Sequence, residues 1–149
     1  MNKLSSVANF FGVDCQSEVS ILGISDDSRN IKCGYLFVAL PGINSHGVTF
    51  LDDAILNGAV CILSDQLPSN TINIPYIFYK DLKQKIAQFL FKFYELDPDH
   101  FLFHGVTGTN GKTSTAFMAH QIVRKLEKPS CYIGTFGAII NDELIATKG

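Results

Sequence analysis

The sequence predicts an α/β protein in two parts, a small α/β domain over residues 1–97 and the first βαβ unit of a second domain over 98–149. Three observations predict it. Apolar runs of strand length alternate with segments of helical spacing through the first part. Leu96-Asp97-Pro98-Asp99 then punctuates the chain with a proline and two acids. Beyond it come a short apolar run, a glycine-rich turn, a helical pattern and a second apolar run. Alternation of this kind favours a parallel sheet with helices on its faces.

In chain order, Val19 to Ile24 alternates polar and apolar residues as a strand and runs into the turn-rich Ser25-Asp26-Asp27-Ser28. Tyr35 to Leu40 is a continuous apolar run, closed by Pro41-Gly42, which suits a strand covered on both faces. Phe50, Leu51, Ala54, Ile55 and Leu56 carry helical spacing, with Gly58 placed to stop the helix. Val60 to Leu63 and Tyr76 to Tyr79 read as further strands. Leu82, Ile86, Phe89, Leu90 and Phe93 form a helical stripe behind a capping residue at Asp81. In the second part, Phe101 to Val106 reads as a strand. Ser114 to Lys128 reads as a helix with Phe117, Met118, Ile122, Val123 and Leu126 inward. Cys131 to Ile133 is the second strand, followed by Ala138 to Ile140 and a turn at Asn141-Asp142. One βαβ unit cannot cover its own sheet, so this part is expected either to be truncated, its partner being the remainder of a longer parent chain, or to borrow a partner surface.

Composition narrows the function classes. With 46% hydrophobic and 17% charged residues the chain is not a disordered tail, which could not bury enough apolar surface to offset chain entropy. A net charge of −2 offers no broad basic footprint, so no nucleic acid partner is expected. No apolar run approaches the roughly 20 residues of a membrane span, and Met1 to Asn9 does not read as a signal peptide. Cys15, Cys33, Cys61 and Cys131 are scattered without a close pair. They read as reduced, mostly buried thiols, which suits a cytoplasmic protein.

The sharpest chemical signal is Gly108-Thr109-Asn110-Gly111-Lys112-Thr113, between the strand and the helix of the second part. Glycines there let backbone N–H groups approach a polyphosphate, and the helix N-terminus adds partial positive charge. Lys112 is placed to reach the β- and γ-phosphates, and the Thr113 hydroxyl to ligate Mg2+. The phosphate-binding set therefore runs Gly108, Thr109, Asn110, Gly111, Lys112 and Thr113, with Ser114 in the first helical turn. The strict pattern asks for glycine at position 106, where Val106 stands. The plain alternative is a strand-to-helix turn with an exposed lysine.

Val106 to Thr113 resembles the ATP loop of the Mur ligases, which departs from the strict pattern at the same glycine. The first part resembles the family's N-terminal domain through Asp27-Ser28-Arg29, Gly34 to Gly42, then Gly47, Phe50, Ala54 and Gly58-Ala59. Thr109 and Gly134-Thr135-Phe136-Gly137 favour the branch that adds the third residue of the peptide. The resemblance implies that 1–97 is the domain holding the uridine diphosphate end of the substrate, through Ser28, Asn44 and Ser45. It implies that 98–149 begins the P-loop ATPase-like central domain. Arg29 either contacts substrate or braces its loop.

The implied activity is an ATP-dependent, acid–amino-acid ligase. ATP and Mg2+ are its cofactors, and UDP-N-acetylmuramoyl-L-Ala-D-Glu is its dipeptide substrate. The substrate carboxylate becomes an acyl phosphate, and the amine of diaminopimelate or lysine displaces phosphate, a step of peptidoglycan synthesis. Lys112 is the candidate catalytic residue and Thr113 the candidate metal ligand. The 149-residue chain alone is expected not to ligate. The competing readings are a non-catalytic module holding nucleotide or UDP-sugar, and an inactive remnant. His46 reads as an exposed loop histidine, and His100, His104 and His120 receive no role.

Overall fold

A computed structural model of the chain describes residues 2–43 and 45–145. It divides into two compact units, Met1–His100 and Phe101–Gly149.

The first unit is a three-layer α/β arrangement. Strands β1 (Gly23–Ser25), β2 (Tyr35–Ala39), β3 (Ala59–Ser64) and β4 (Tyr76–Phe78) form a sheet in the order β1-β2-β3-β4, with every pairing parallel. Helices α1 (Leu4–Phe10) and α3 (Leu82–Phe93) cover one face, and α2 (Leu51–Leu56) covers the other. The period-two alternation of β2 divides its residues between the two layers. Leu36 and Val38 join the cluster of Leu4, Val7, Phe11, Leu82 and Phe89, whereas Phe37 and Ala39 join that of Leu51, Ala54 and Ile62. A register shift between Tyr35 and Leu36 leaves Val60 as an extra residue in β3, so Val60 and Cys61 both turn toward the α1–α3 layer. Phe89 is the keystone of that layer, with ring centroids 5.1 Å from Phe11 and 5.7 Å from Phe10. Such aromatic pairs add about 0.5–1.5 kcal/mol each beyond the area they bury.

Several expectations for this unit need correction. The first strand is shorter than Val19 to Ile24 and begins at Gly23; Ser20 instead forms an isolated bridge with Lys3. That bridge anchors α1, a helix the periodicity reading passed over, although Leu4, Val7, Ala8 and Phe11 carry its spacing. Asp81 precedes α3 but makes no side-chain capping bond. Of the four thiols only Cys61 is buried; Cys15 is half-buried, and Cys33 and Cys131 are exposed.

The second unit differs more. Residues 101–106 form no strand and lie exposed, because ladder hydrogen bonds need a neighbouring strand and none among the described residues pairs with this run. Helix α4 (Lys112–Lys125) is followed by β5 (Cys131–Gly134), β6 (Gly137–Ile140) and β7 (Glu143–Ile145). These three strands pair antiparallel in sequence order, so the expected βαβ unit is not formed among the described residues. Positive φ at Asn141 and Asp142 (48° and 78°) makes the β6–β7 turn of the kind that matches the twist of a tight hairpin.

The stripe of α4 that meets this sheet is Thr113, Phe117, His120 and Arg124, at i, i+4, i+7 and i+11. Phe117 packs edge-on against Tyr132 and Phe136 at 5.8 and 5.7 Å. His120 Nδ1 lies 2.9 Å from Ser130 Oγ, and Arg124 Nη2 donates to Asp142 Oδ2 at 2.8 Å. The expected inward residues Met118, Ile122 and Leu126 are exposed instead. They form a stripe on the opposite side of the helix, about 170° round from the one in contact.

Candidate functional site

In parallel sheets, ligand-binding loops gather outside the carboxyl ends of the strands. After β1, Ser25 Oγ accepts from Asp27 N at 3.1 Å, and Asp27 Oδ1 caps the following 3₁₀ turn (Ser28–Asn30) through Arg29 N at 2.9 Å. Arg29 grips the same carboxylate, with Nε 2.9 Å from Oδ1 and Nη2 2.8 Å from Oδ2. This fork raises the Arg29 pKa, chiefly through the side-chain hydrogen bond to Asp27. Arg29 thus braces the loop, which was one of the two roles open to it. Ser28 is buried, and its carbonyl accepts from Asn57 Nδ2 at 2.9 Å, tying the turn to the end of α2.

After β2 the chain leaves the sheet at Pro41 and returns at His46, which bridges back to Pro41. Ser45 lies exposed in this excursion, its carbonyl accepting from Gly42 N at 2.9 Å. Asn44 lies outside the described residues. Gly47 then passes so close under Ala39 that a Cβ would come within 2.7 Å of the Ala39 Cα, a backbone atom that cannot turn aside. His46 is a half-buried anchor rather than an exposed loop residue. Its Nδ1 accepts from Val48 N at 3.1 Å, capping a second 3₁₀ turn, so Nε2 carries the proton and donates to Asp65 Oδ1 at 2.8 Å. Asp65 follows the end of β3, and the neighbouring Ser64 Oγ donates to Ala39 O at 3.0 Å. Tyr76 reaches the same corner by donating to Gln66 O, and burial pushes its phenol pKa up. Ser28 and Ser45 therefore follow the carboxyl ends of two adjacent parallel strands, on one edge of the sheet. The anchors His46 and Asp65 had no sequence signal, since 19 residues separate them.

In the second unit the expected phosphate-loop residues Gly108 to Lys112 are exposed and lead into α4. Gly111 holds the N-cap position at φ 78°, a left-handed conformation that a side chain would strain. Gly111 O accepts from Thr115 N at 2.9 Å, and Ser114 lies exposed in the first turn. The Lys112 ammonium folds back over the loop, donating to Gly108 O at 2.6 Å and Thr109 O at 3.3 Å. Thr113 Oγ1 lies 3.1 Å from Thr135 Oγ1 at the tip of the β5–β6 hairpin. This end of α4 gathers a helix dipole, loop N–H groups, one ammonium and one hydroxyl, a donor set that suits a polyphosphate with its cation.

No family model matches the chain. Among curated proteins it is 38% identical over 122 residues to UDP-N-acetylmuramoyl-L-alanyl-D-glutamate--2,6-diaminopimelate ligase of Fusobacterium nucleatum, covering 82% of this chain and 25% of that one. The enzyme of the same name from Listeria monocytogenes is 32% identical over 148 residues, covering 99% of this chain and 30% of its own. The chain belongs to the Mur ligase family. It corresponds to an N-terminal part of these ligases and spans 25 to 30% of the length of those relatives. A solved ligase of the same name superposes on 97% of this Mur ligase chain with a TM-score of 0.69 at 24% identity, a likeness of fold. The MurF ligase of Thermotoga maritima, solved in complex with ADP, covers 68% of it at 25% identity and a TM-score of 0.52, over 23% of its own length.

Proposed function

We propose that this chain is the part of an ATP-dependent Mur ligase that seats the UDP end of a UDP-N-acetylmuramoyl dipeptide and the phosphates of ATP. On this reading residues 1–97 are the UDP-substrate domain, and 98–149 begin the P-loop ATP-binding domain. The single observation that carries it is the glycine-rich loop opening α4, with Lys112 over the loop and Thr113 in the first helical turn. The whole ligase joins a third residue to UDP-N-acetylmuramoyl-L-Ala-D-Glu in the cytoplasm. We take that residue to be 2,6-diaminopimelate, for which the relatives are named.

In the proposed reaction the dipeptide's terminal carboxylate oxygen bonds to the γ-phosphorus of ATP as the bond to the ADP oxygen breaks. The amine of the incoming residue then attacks the acyl carbon, and inorganic phosphate leaves with the acyl phosphate's bridging oxygen. Gly108 to Gly111 present backbone N–H groups to the phosphates. The Lys112 ammonium exchanges its loop carbonyls for β- and γ-phosphate oxygens and offsets charge on the transferring group. Asn110 and Ser114 complete the rim of the loop. Ser28 and Ser45, in the loops after β1 and β2, hold the uridine diphosphate end together with Asn44.

Among the described residues no group of three or more His, Cys, Asp or Glu side chains could hold a metal ion. The Thr113 hydroxyl at the helix start nevertheless fits a Mg2+ carried in on ATP, since Mg2+ is commonly held by substrate phosphates and few protein ligands. When bound, the ion neutralises phosphate charge.

The test is calorimetric titration of the chain and its variants with MgATP and with UDP-N-acetylmuramoyl dipeptide. Lys112→Ala removes a charge-assisted hydrogen bond of about 1.5–3 kcal/mol. MgATP affinity should therefore fall roughly ten- to hundredfold, with the UDP substrate bound as before. Ser28→Ala should show the opposite bias. If Lys112→Ala bound MgATP as tightly as the parent, the phosphate-loop reading would be lost.

A further inference from the structure

We infer that Thr135, at the tip of the β5–β6 hairpin, is a positioning residue for the cation-binding hydroxyl of Thr113. The inference rests on the phosphate-loop reading above and deepens it. A threonine hydroxyl has one proton and two lone pairs. To bind a cation, its oxygen must turn a lone pair outward and its proton away from the charge. Left free in the first turn of a helix, that proton has competing acceptors in nearby backbone carbonyls, and the rotor spreads over several wells. Thr135 Oγ1, 3.1 Å from Thr113 Oγ1, offers an acceptor in one fixed direction. When the Thr113 proton points to Thr135, the remaining lone pairs are free for the cation. Partners that orient ligands in this way are a general feature of metal sites.

The hairpin tip is held rather than loose, which makes the contact more than incidental. Thr113 and Phe117 share one face of α4, one turn apart. The consecutive residues Thr135 and Phe136 meet them one each, Thr135 at the hydroxyl and Phe136 edge-on at 5.7 Å from the Phe117 ring. Tyr132 closes the aromatic cluster, 5.8 Å from Phe117 and 6.1 Å from Phe136. Below that, His120 with Ser130 and Arg124 with Asp142 fasten the rest of the hairpin to the same stripe. The position of Thr135 is thus set by four contacts along α4.

Titration of the full chain with ATP at a series of Mg2+ concentrations, alongside ATP in excess chelator, tests this. Thr135→Val keeps the shape and removes the acceptor; Thr135→Ser keeps the acceptor. Thr135→Val should raise the Mg2+ concentration for half-maximal tightening about five- to tenfold. ATP binding in chelator should be unchanged, and Thr135→Ser should restore the Mg2+ response to within twofold. Circular dichroism melting confirms that each variant is folded. An unchanged Mg2+ response in folded Thr135→Val overturns the inference while leaving the loop reading intact. Equal losses with and without Mg2+ overturn it too, because they mark a general role in loop packing. If the wild-type chain binds ATP under neither condition, the loop reading fails and the inference falls with it.

Discussion

His46 shows how one side chain can hold a loop by serving two elements at once. Its two ring nitrogens serve two elements, Nδ1 capping the turn that begins at Gly47 and Nε2–H reaching Asp65 beyond β3. The side chains of both partners are under 20% exposed, at 19% and 17%, so solvent screens the pair less than it would on the open surface. His46→Ala removes the cap and leaves Asp65 without this partner. Losing a cap costs about 0.5–2 kcal/mol. Urea unfolding of the variant should therefore show a loss of at least about 1 kcal/mol, with hydrogen exchange faster at Val48 and Thr49 than at β2. A variant as stable as the parent, with Val48 still protected, would mean that the Pro41 bridge and the Gly47 contact hold the loop by themselves. The sequence could not reveal this pairing, because a histidine and an aspartate in separate loops have no spacing rule. The loop proposed to hold phosphate could be picked out in the sequence because all of its parts lie within one short run, where each residue's chemistry follows from its place before a helix. Thr135 falls between these cases. Its motif was visible, but its meeting with Thr113 depends on how the hairpin folds back.

Among the elements, strands buried on both faces were the most legible. Tyr35 to Ala39 and Ala59 to Leu63 carry no charged residue and are almost wholly apolar because helices cover both sides, and such runs have few other ways to be buried. Phe101 to Val106 is also largely apolar and is no strand, since an apolar run does not itself supply a hydrogen-bonding neighbour. In α4 the helical period was readable but its phase was not. Two stripes compete, and the one in contact carries a histidine and an arginine rather than the methionine and leucine that hydrophobicity would choose. The lowest rung of that stripe gives a pH prediction. The hydrogen bond from Arg124 holds the Asp142 carboxyl below its ordinary value of 3.8, and the nearby charges of Arg124 and His120 act in the same direction. A carboxylate with a depressed folded pKa stabilises the fold above its unfolded pKa, and that contribution is lost as pH falls through the folded pKa. The hairpin's attachment to α4 should therefore be unaffected at neutral pH and weaken only below the ordinary carboxylate range. A carbon-detected NMR titration of Asp142 should give a midpoint below 3.8, and Arg124→Gln should move it upward. A midpoint at or above that value in the parent chain would show that the ion pair is not populated in solution.

At the scale of the molecule, apolar burial is very unevenly distributed. Of the buried hydrophobic residues described, Tyr132 alone belongs to the second unit; all the others, from Leu4 to Phe93, lie in the two layers of the first. Burial of apolar area is the dominant favourable term in folding, about 25 cal/mol per Å2. The first unit should therefore carry nearly all of the chain's cooperative stability. The Phe101–Gly149 unit relies on one aromatic cluster, on the His120–Ser130 contact and on the solvent-accessible Arg124–Asp142 pair, which contributes little in water. A chain ending at His100 should fold by itself and melt cooperatively within a few degrees of the 149-residue chain. Native-state hydrogen exchange on the longer chain should place the slowest amides in β2 and β3, with β5 to β7 exchanging at much lower opening free energy. Limited proteolysis should accordingly cut within 101–145 first and leave 1–100 as a resistant core. If the shortened chain were unfolded, or if β5 to β7 proved as protected as β2, the second unit would have to contribute stability that its buried area does not explain.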